Sequence, residues 1–320
     1  MTVLVTGASG FVGQHLINAL NFDVVTLGRH NPNKSKFFYK KEINSSENYT
    51  QALTGCDVVI HCAARVHIMH DNSTKPLEEY REINTAGTMN LARQAVVAGV
   101  KRFIFISSIK VNGESTSTGK PFSVKDIVHP EDFYGQSKAE AEKQLMSLAK
   151  DTGLEVVIIR PTLVYGSGVK GNFESLLSLV YKGMPLPFGC IRDNKRSLVS
   201  VRNLVDLIVT CIEHPKAANQ VFLVSDDHDV STASMVKYMA QALGKSCRLL
   251  PVPLWCYRLV GRVTGKMGVV DRLLGSLQVD ISHTKNTLGW IPPQTLEEGF
   301  KETAEAFLLN KKEYMYDSSN

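Results

Sequence analysis

The sequence predicts an α/β protein: a doubly wound parallel sheet with a smaller, mostly helical C-terminal lobe. Three observations carry this. Short β-rich runs alternate with helical patterns over the first two thirds of the chain, each run is almost continuously apolar, and the pattern changes after residue 165. Strands apolar along their whole length are buried on both faces, as in a parallel sheet covered by helices on either side. The 320 residues, 43% of them hydrophobic, are enough for one large domain plus a lobe.

The first strand is "TVLVT" (2–6), followed by a helix near 11–20. "DVVTL" (23–27) comes next, with a helical stretch near 47–54, then "DVVIHC" (57–62) and a long helix near 77–98. "RFIFIS" (102–107) precedes a helix near 133–151, and "EVVIIR" (155–160) closes the unit, which spans residues 1–165. Gly/Pro-rich loops follow, "YGSGVKGN" and "KGMPLPFGCIRDNKRS". The amphipathic helix 201–214 and the strand "QVFLVS" (220–225) return to the first domain. The rest of 166–309 reads as a mainly helical substrate lobe, and 310–320 as a flexible tail. "STASMVKYMAQALG" in that lobe opens on Ser/Thr and closes on Gly, as a helix does.

Thirty-six basic and 31 acidic residues give a net charge of +5, mixed along the chain. With no dense Lys/Arg run, nucleic acid is not an expected partner, whereas an anionic small substrate suits the balance. The six cysteines are scattered without a CxxC pair, as expected of a reducing cytosol. His61, His67 and His70 cluster in "HCAARVHIMHD", but His61 ends a buried strand and no carboxylate spacing accompanies it, so no metal is expected. Apolar runs are too short to span a bilayer and the N-terminus enters a strand directly, so a cytoplasmic location without membrane insertion is expected.

"VLVTGASGFVGQHL" sets Gly7, Gly10 and Gly13 between the first strand and first helix. Glycine permits a tight turn and close backbone approach to a pyrophosphate, which the helix N-terminus then receives. The GxxGxxG spacing differs from the commoner GxGxxG, but its place in the chain marks a Rossmann-type dinucleotide site. Further along, Tyr134 and Lys138 in "YGQSK" are four apart, hence on one face of a helix. A phenol of pKa about 10 is a poor base near neutrality. A nearby ammonium and an oxidised nicotinamide would both lower it. Ser107 and Ser108 end the strand "RFIFIS" at the sheet edge where such folds bind ligands, and a hydroxyl there can polarise a reacting oxygen.

Glycine loop, strand-end serine and YxxxK together resemble the short-chain dehydrogenase/reductase superfamily. More narrowly, the chain resembles its extended branch of NAD(P)-dependent nucleotide-sugar epimerases, dehydratases and 4-keto-reductases, the group of the UDP-glucose 4-epimerases. "HCAA" (61–64), "NTAGTMNLARQA" (84–95), "RPTLVYG" (160–166), "KRSLVSVRNLVDLI" (195–208) and "LGWIPPQTLEEGF" (288–300) stand at comparable positions, so nearly the whole chain is covered. The resemblance implies Tyr134 as general acid/base, Lys138 as the residue tuning it and holding the nicotinamide ribose, and Ser108 on the reacting oxygen. It implies cofactor contacts from Gly7, Ser9, Gly10, Phe11, Val12, Gly13, Glu42, Ile43, Ala63, Ala64, Asn84 and Pro161. On the substrate side it implies Asn172, Arg196 and Arg272 for the diphosphate of a UDP-sugar, with "PLPFG" (185–189) along the base. The segment with His67 and Met69 reads as a loop over the pocket, with one of these facing the sugar as the alternative. Asn112 stands where the family often has Tyr. A homodimer through the helices near 77–98 and 133–151 is also implied.

"FDVVTLGRHN" (22–31) ends its strand on Arg29 rather than the acidic residue that would bind a free ribose 2′-hydroxyl. A 2′-phosphate would suit Arg29, so NADP(H) is the expected cofactor, with NAD(H) as the alternative. NADPH points to reduction of a UDP-4-keto-6-deoxy-N-acetylhexosamine, for surface-polysaccharide sugar synthesis. The alternative is a 4-epimerase of UDP-N-acetylglucosamine or UDP-glucose, and a non-catalytic NADP-sensing module is the third reading. The two reactions share one active site.

Overall fold

Strand β1 (Thr2–Thr6) lies at the middle of the sheet because it has no polar face: Val3, Leu4 and Val5 are fully buried. The computed structural model describes residues 1–32, 35–66, 75–117 and 119–317. Within them follow β2 (Asp23–Gly28), β3 (Phe37–Lys40), β4 (Val58–His61), β5 (Arg102–Ile106) and β6 (Glu155–Pro161). β7 (Leu163–Tyr165), β8 (Arg196–Ser200), β9 (Gln220–Val224) and β10 (Asp229–Val230) complete the strands. The main sheet runs β3-β2-β1-β4-β5-β6-β9 and is parallel throughout. The expected doubly wound fold is therefore present. Its strand order reverses between β1 and β4, which opens a crevice at their C-terminal ends.

Helices Phe11–Ala19 and Val201–Glu213 cover one face of the sheet, and Thr88–Val97 and Phe133–Thr152 the other. The last of these starts at Asp132, whose side chain accepts from Gly135 N, and stops at Gly153 with φ 75°. Both ends follow standard capping chemistry. The helix expected near 77–98 is a continuous run in three pieces: Pro76–Tyr80, a π-helical Arg81–Gly87, and Thr88–Val97. The expected helix near 47–54 shortens to Thr50–Leu53. β3 has no counterpart in the sequence reading. It is a short edge strand with Phe37 exposed, so it lacks the apolar run that marks the inner strands.

The C-terminal region builds a small sheet, β10-β8-β7, and packs helices around Tyr165, Phe173 and Phe300. The Tyr165 hydroxyl donates to Asp226 Oδ2 at 2.7 Å, while Asp226 Oδ1 accepts from Ser200 N and Asn203 Nδ2. These bonds lock the lobe to the end of β9. The last helix runs Leu296–Asp317, past residue 310, where the sequence suggested a loose tail.

Beneath the crevice Arg160 and Glu142 form a buried ion pair, with Arg160 Nε and Nη2 both donating to the carboxylate. Arg160 Nη1 also donates to Asn112 Oδ1 at 2.9 Å. Asn112, unexplained by sequence, is thus a buried acceptor that completes the guanidinium's shell. Glu142→Ala leaves that guanidinium buried without its carboxylate. It should cost about 3–5 kcal/mol in chemical denaturation, and a loss under 1 kcal/mol would show that water reaches the pair.

Candidate active site

Three strand ends meet at the crevice: the glycine turn after β1, the segment after β4, and the serines after β5. Gly7 has φ +68°, and a Cβ there would lie 2.6 Å from Ala63 N. A Cβ on Gly13 would lie 2.2 Å from Gly7 O, so the first helix sits directly on the turn. Gly10, at the N-cap, donates its N–H to Gly7 O and offers no side chain to the helix end. Ser9 is exposed, Phe11 and Val12 are half-buried, and the first turn carries no acidic residue. The cradle is open backbone at a helix N-terminus, fitted to a diphosphate group.

After β4, Ala63 N donates to Thr6 Oγ1 at 3.3 Å, and Ala63 and Ala64 are part-exposed beside the turn. His61 is wholly buried between Thr6 Oγ1 (2.7 Å) and Thr88 Oγ1 (3.0 Å). Burial first, then Lys138, pulls its pKa down to about 3, so it is a neutral core residue. His67, Met69 and His70 lie outside the described residues.

Ser108 caps a short turn, its hydroxyl accepting from Lys110 N at 3.3 Å. The half-buried Tyr134 phenol lies near enough for the Ser108 hydroxyl to oppose the rise of its pKa. One turn on, Lys138 is buried, with Nζ donating to Ile106 O at 2.8 Å and lying 4.3 Å from the Phe105 ring centre. The structure thus brings Ser108, Tyr134 and Lys138 together. The expected lowering of the phenol is not what the protein alone produces. Burial pushes Tyr134 above its ordinary value, with Asp132 and Tyr80 adding to it and Ser108 opposing.

Burial also pulls Lys138 down to about 7, against the opposing influence of Cys62 and Glu142. The unfolded amine keeps its ordinary value of about 10.4, so between those values the unfolded chain binds more protons. Nucleotide-free protein should therefore gain stability as pH rises from about 7 to about 10, with the full penalty present below 7. Thermal unfolding of wild type and Lys138→Met across pH 7–9.5 reads this as a difference that shifts toward wild type as pH rises. Parallel curves would contradict it.

Lys110, Glu114, Asp132, Thr85 and Ser137 hold this geometry and were not anticipated from sequence, and Asn84, expected as a cofactor contact, joins them. Lys110 Nζ donates to Asp132 Oδ2 (2.5 Å) and Glu114 Oε1 (2.9 Å), which ties the serine turn to the cap of the tyrosine helix. Asp132 stands two residues before Tyr134, and Asp before a helical pattern is an N-cap signal. Asn84, on the π-helical turn, accepts from Arg65 N and donates to Arg65 O and Ser137 Oγ. Thr85 Oγ1 donates to Ser137 O. Asn84 and Ser137 therefore strap the segment after β4 to the helix that carries Tyr134, and the Asn84 amide has protein partners on both its nitrogen and its oxygen. No periodicity announces a π-turn.

The remaining expected contacts spread outward. Arg29 is exposed beyond Gly28 at the end of β2. Glu42 is exposed, and Ile43 is packed toward Gly87. Pro161 ends β6 in a buried position. Arg196 Nη1 donates to Arg272 O at 2.7 Å, and burial with the charge of Arg272 lowers its pKa. Asn172 is the exposed first residue of the helix Asn172–Tyr181. Gly189 N donates to Leu250 O, fixing the "PLPFG" segment against the following loop.

A doubly wound sheet with a glycine cradle, and Ser, Tyr and Lys at the next strand end, defines a nicotinamide-dependent enzyme of the extended short-chain dehydrogenase/reductase type. The chain belongs to the NAD dependent epimerase/dehydratase family, whose model matches residues 3–225. It is 62% identical over 313 residues to UDP-glucose 4-epimerase of Vibrio cholerae, covering 96% of this chain and 95% of the relative. It is 28% identical to N-acetyl-alpha-D-glucosaminyl-diphospho-ditrans,octacis-undecaprenol 4-epimerase of Escherichia coli O157:H7, covering 97% and 96%. In fold it resembles UDP-glucose 4-epimerase of Thermotoga maritima solved with UDP-glucose (TM-score 0.78, 24% identity, 97% of this chain and 100% of that one).

The 62% identity overturns the expectation of a 4-keto-sugar reductase. That expectation rested on Arg29, which lies exposed at the end of β2 and not at the strand end that carries Ser108. A residue there bears on which nucleotide binds and leaves open whether turnover is redox-neutral.

Proposed function

We propose that the protein is a UDP-glucose 4-epimerase that works with retained NAD⁺. The observation that carries this is the 62% identity to a UDP-glucose 4-epimerase along nearly the whole chain. The Ser108 hydroxyl acting on the Tyr134 phenol, with Lys138 one turn further along the helix, supports it. The glycine cradle holds the diphosphate of the cofactor, Ala63, Ala64 and Ile43 line it, and Lys138 holds the nicotinamide ribose. Bound NAD⁺ supplies a reversible acceptor for the hydrogen on C4 of the sugar. Tyr134 takes the proton from O4 while Ser108 orients that oxygen, and the same phenol returns the proton after the 4-keto sugar has turned over. Lys138 and the cofactor's positive charge together favour the phenolate that burial alone disfavours. Arg196 and Arg272 bind the diphosphate of the sugar nucleotide, with Asn172 at the helix start beside them. UDP-glucose incubated with the protein and no added reductant should give UDP-galactose. Turnover that begins only when NADPH is supplied would contradict the proposal.

NAD⁺ replaces NADP(H) as the proposed cofactor because a redox-neutral cycle needs no external donor. Protein purified without added nucleotide and then denatured should release NAD⁺. Arg29→Asp should change kcat by less than about threefold, because the charge lies exposed on the adenosine side. Release of NADP⁺ would return Arg29 to the selector role. We further place the enzyme in the cytoplasm as a homodimer through the outer faces of Pro76–Val97 and Phe133–Thr152, which sedimentation can test.

A further inference from the structure

The helical hairpin formed by Leu254–Val263 and Met267–Leu274 has an apolar surface that none of the described residues covers. Trp255 is 65% exposed, Leu259 54%, Val260 59% and Val263 79%. Trp255, Leu259 and Val263 recur every four residues, so they form one stripe along the helix. Arg258 and Arg262 stand beside it, exposed, and Lys266 follows in the turn. Across residues 254–274 the only carboxylate is Asp271. The two helices close on each other at Gly261, where a Cβ would lie 2.7 Å from Val270 and 2.9 Å from Met267. The hairpin therefore buries Gly261 and Val270 between its helices and leaves its tryptophan and aliphatic stripe in solvent, the reverse of a soluble helix.

We propose that this hairpin is a docking surface for an anionic lipid bilayer. A tryptophan and aliphatic stripe edged by arginines is the composition of a helix that lies in the headgroup layer. The charge decides against a second copy of the chain, because a two-fold contact would set Arg258 and Arg262 against their own equivalents. Phosphate headgroups neutralise them instead. No helix among the described residues is long and apolar enough to cross a membrane, so the attachment is superficial. Arg272 lies in the hairpin's second helix and its carbonyl holds Arg196, so docking brings the proposed diphosphate pocket to the membrane surface.

The full-length enzyme supplies its own reporter. Of its two tryptophans, Trp290 is 5% exposed and its indole donates to Asp206, which leaves Trp255 to respond to lipid. Vesicles of phosphatidylglycerol and phosphatidylcholine should shift the emission to the blue and sediment the protein, whereas phosphatidylcholine alone should not. Added salt should reverse the binding. Arg258→Gln and Arg262→Gln should each weaken it about fivefold. Trp255→Ser with Leu259→Ser should abolish it while conversion of UDP-glucose continues. Wild-type emission that ignores anionic vesicles would overturn the proposal. So would hairpin variants that alter the oligomeric state and leave vesicle binding unchanged, since the surface would then be a contact between copies.

Discussion

Tyr134→Phe is expected to lower kcat for UDP-glucose epimerisation by about a thousandfold, within the range for removal of a general acid/base. The substitution deletes one half-buried hydroxyl and keeps the ring, so folding and cofactor retention should persist. Only the proton path is lost. Burial holds the phenol above its ordinary value in the protein alone, so proton uptake depends on positive charge beside it. Lys138 is the nearest such group in the helix and is itself poised near neutrality by burial. A coupled assay for UDP-galactose measures the effect. A Tyr134→Phe enzyme within tenfold of wild type would move the acid/base role elsewhere.

Gly7→Val is expected to yield protein that carries no nucleotide and has less than about one hundredth of wild-type activity. Two costs combine. A side chain at φ +68° is strained by about 1–2 kcal/mol, and its Cβ would press on the Ala63 backbone at 2.6 Å. That backbone belongs to the segment strapped by Asn84 to the helix of Tyr134, so the displacement spreads from the cradle to Tyr134. Absorbance of bound nucleotide after gel filtration, read beside activity, tests it. Full occupancy in Gly7→Val would mean that the turn does not hold the diphosphate.

What was legible in the sequence is what leaves a local signature. The inner strands were readable because full burial demands continuous apolar runs, and Val3–Val5 meet that demand. The glycine turn and the Tyr134–Lys138 pair were readable because short-range spacing fixes their geometry. Edge strand β3 was not readable, since one exposed side relaxes the requirement for apolar residues. Neither were the ties from Lys110 to Asp132 and from Asn84 to Ser137, which join residues 22 and 53 positions apart. Arg29 shows a different limit. Its type was read correctly, but one exposed charge at a strand end says little about the electron balance of a reaction carried out at another strand end.

Catalysis that stores the C4 hydrogen and returns it to the same sugar has one direct signature. UDP-glucose carrying deuterium at C4, incubated without added cofactor, should become UDP-galactose with the deuterium still at C4. Mass spectrometry of the product reads this. Product that has lost the label, or product that forms only with added NADPH, would contradict the account.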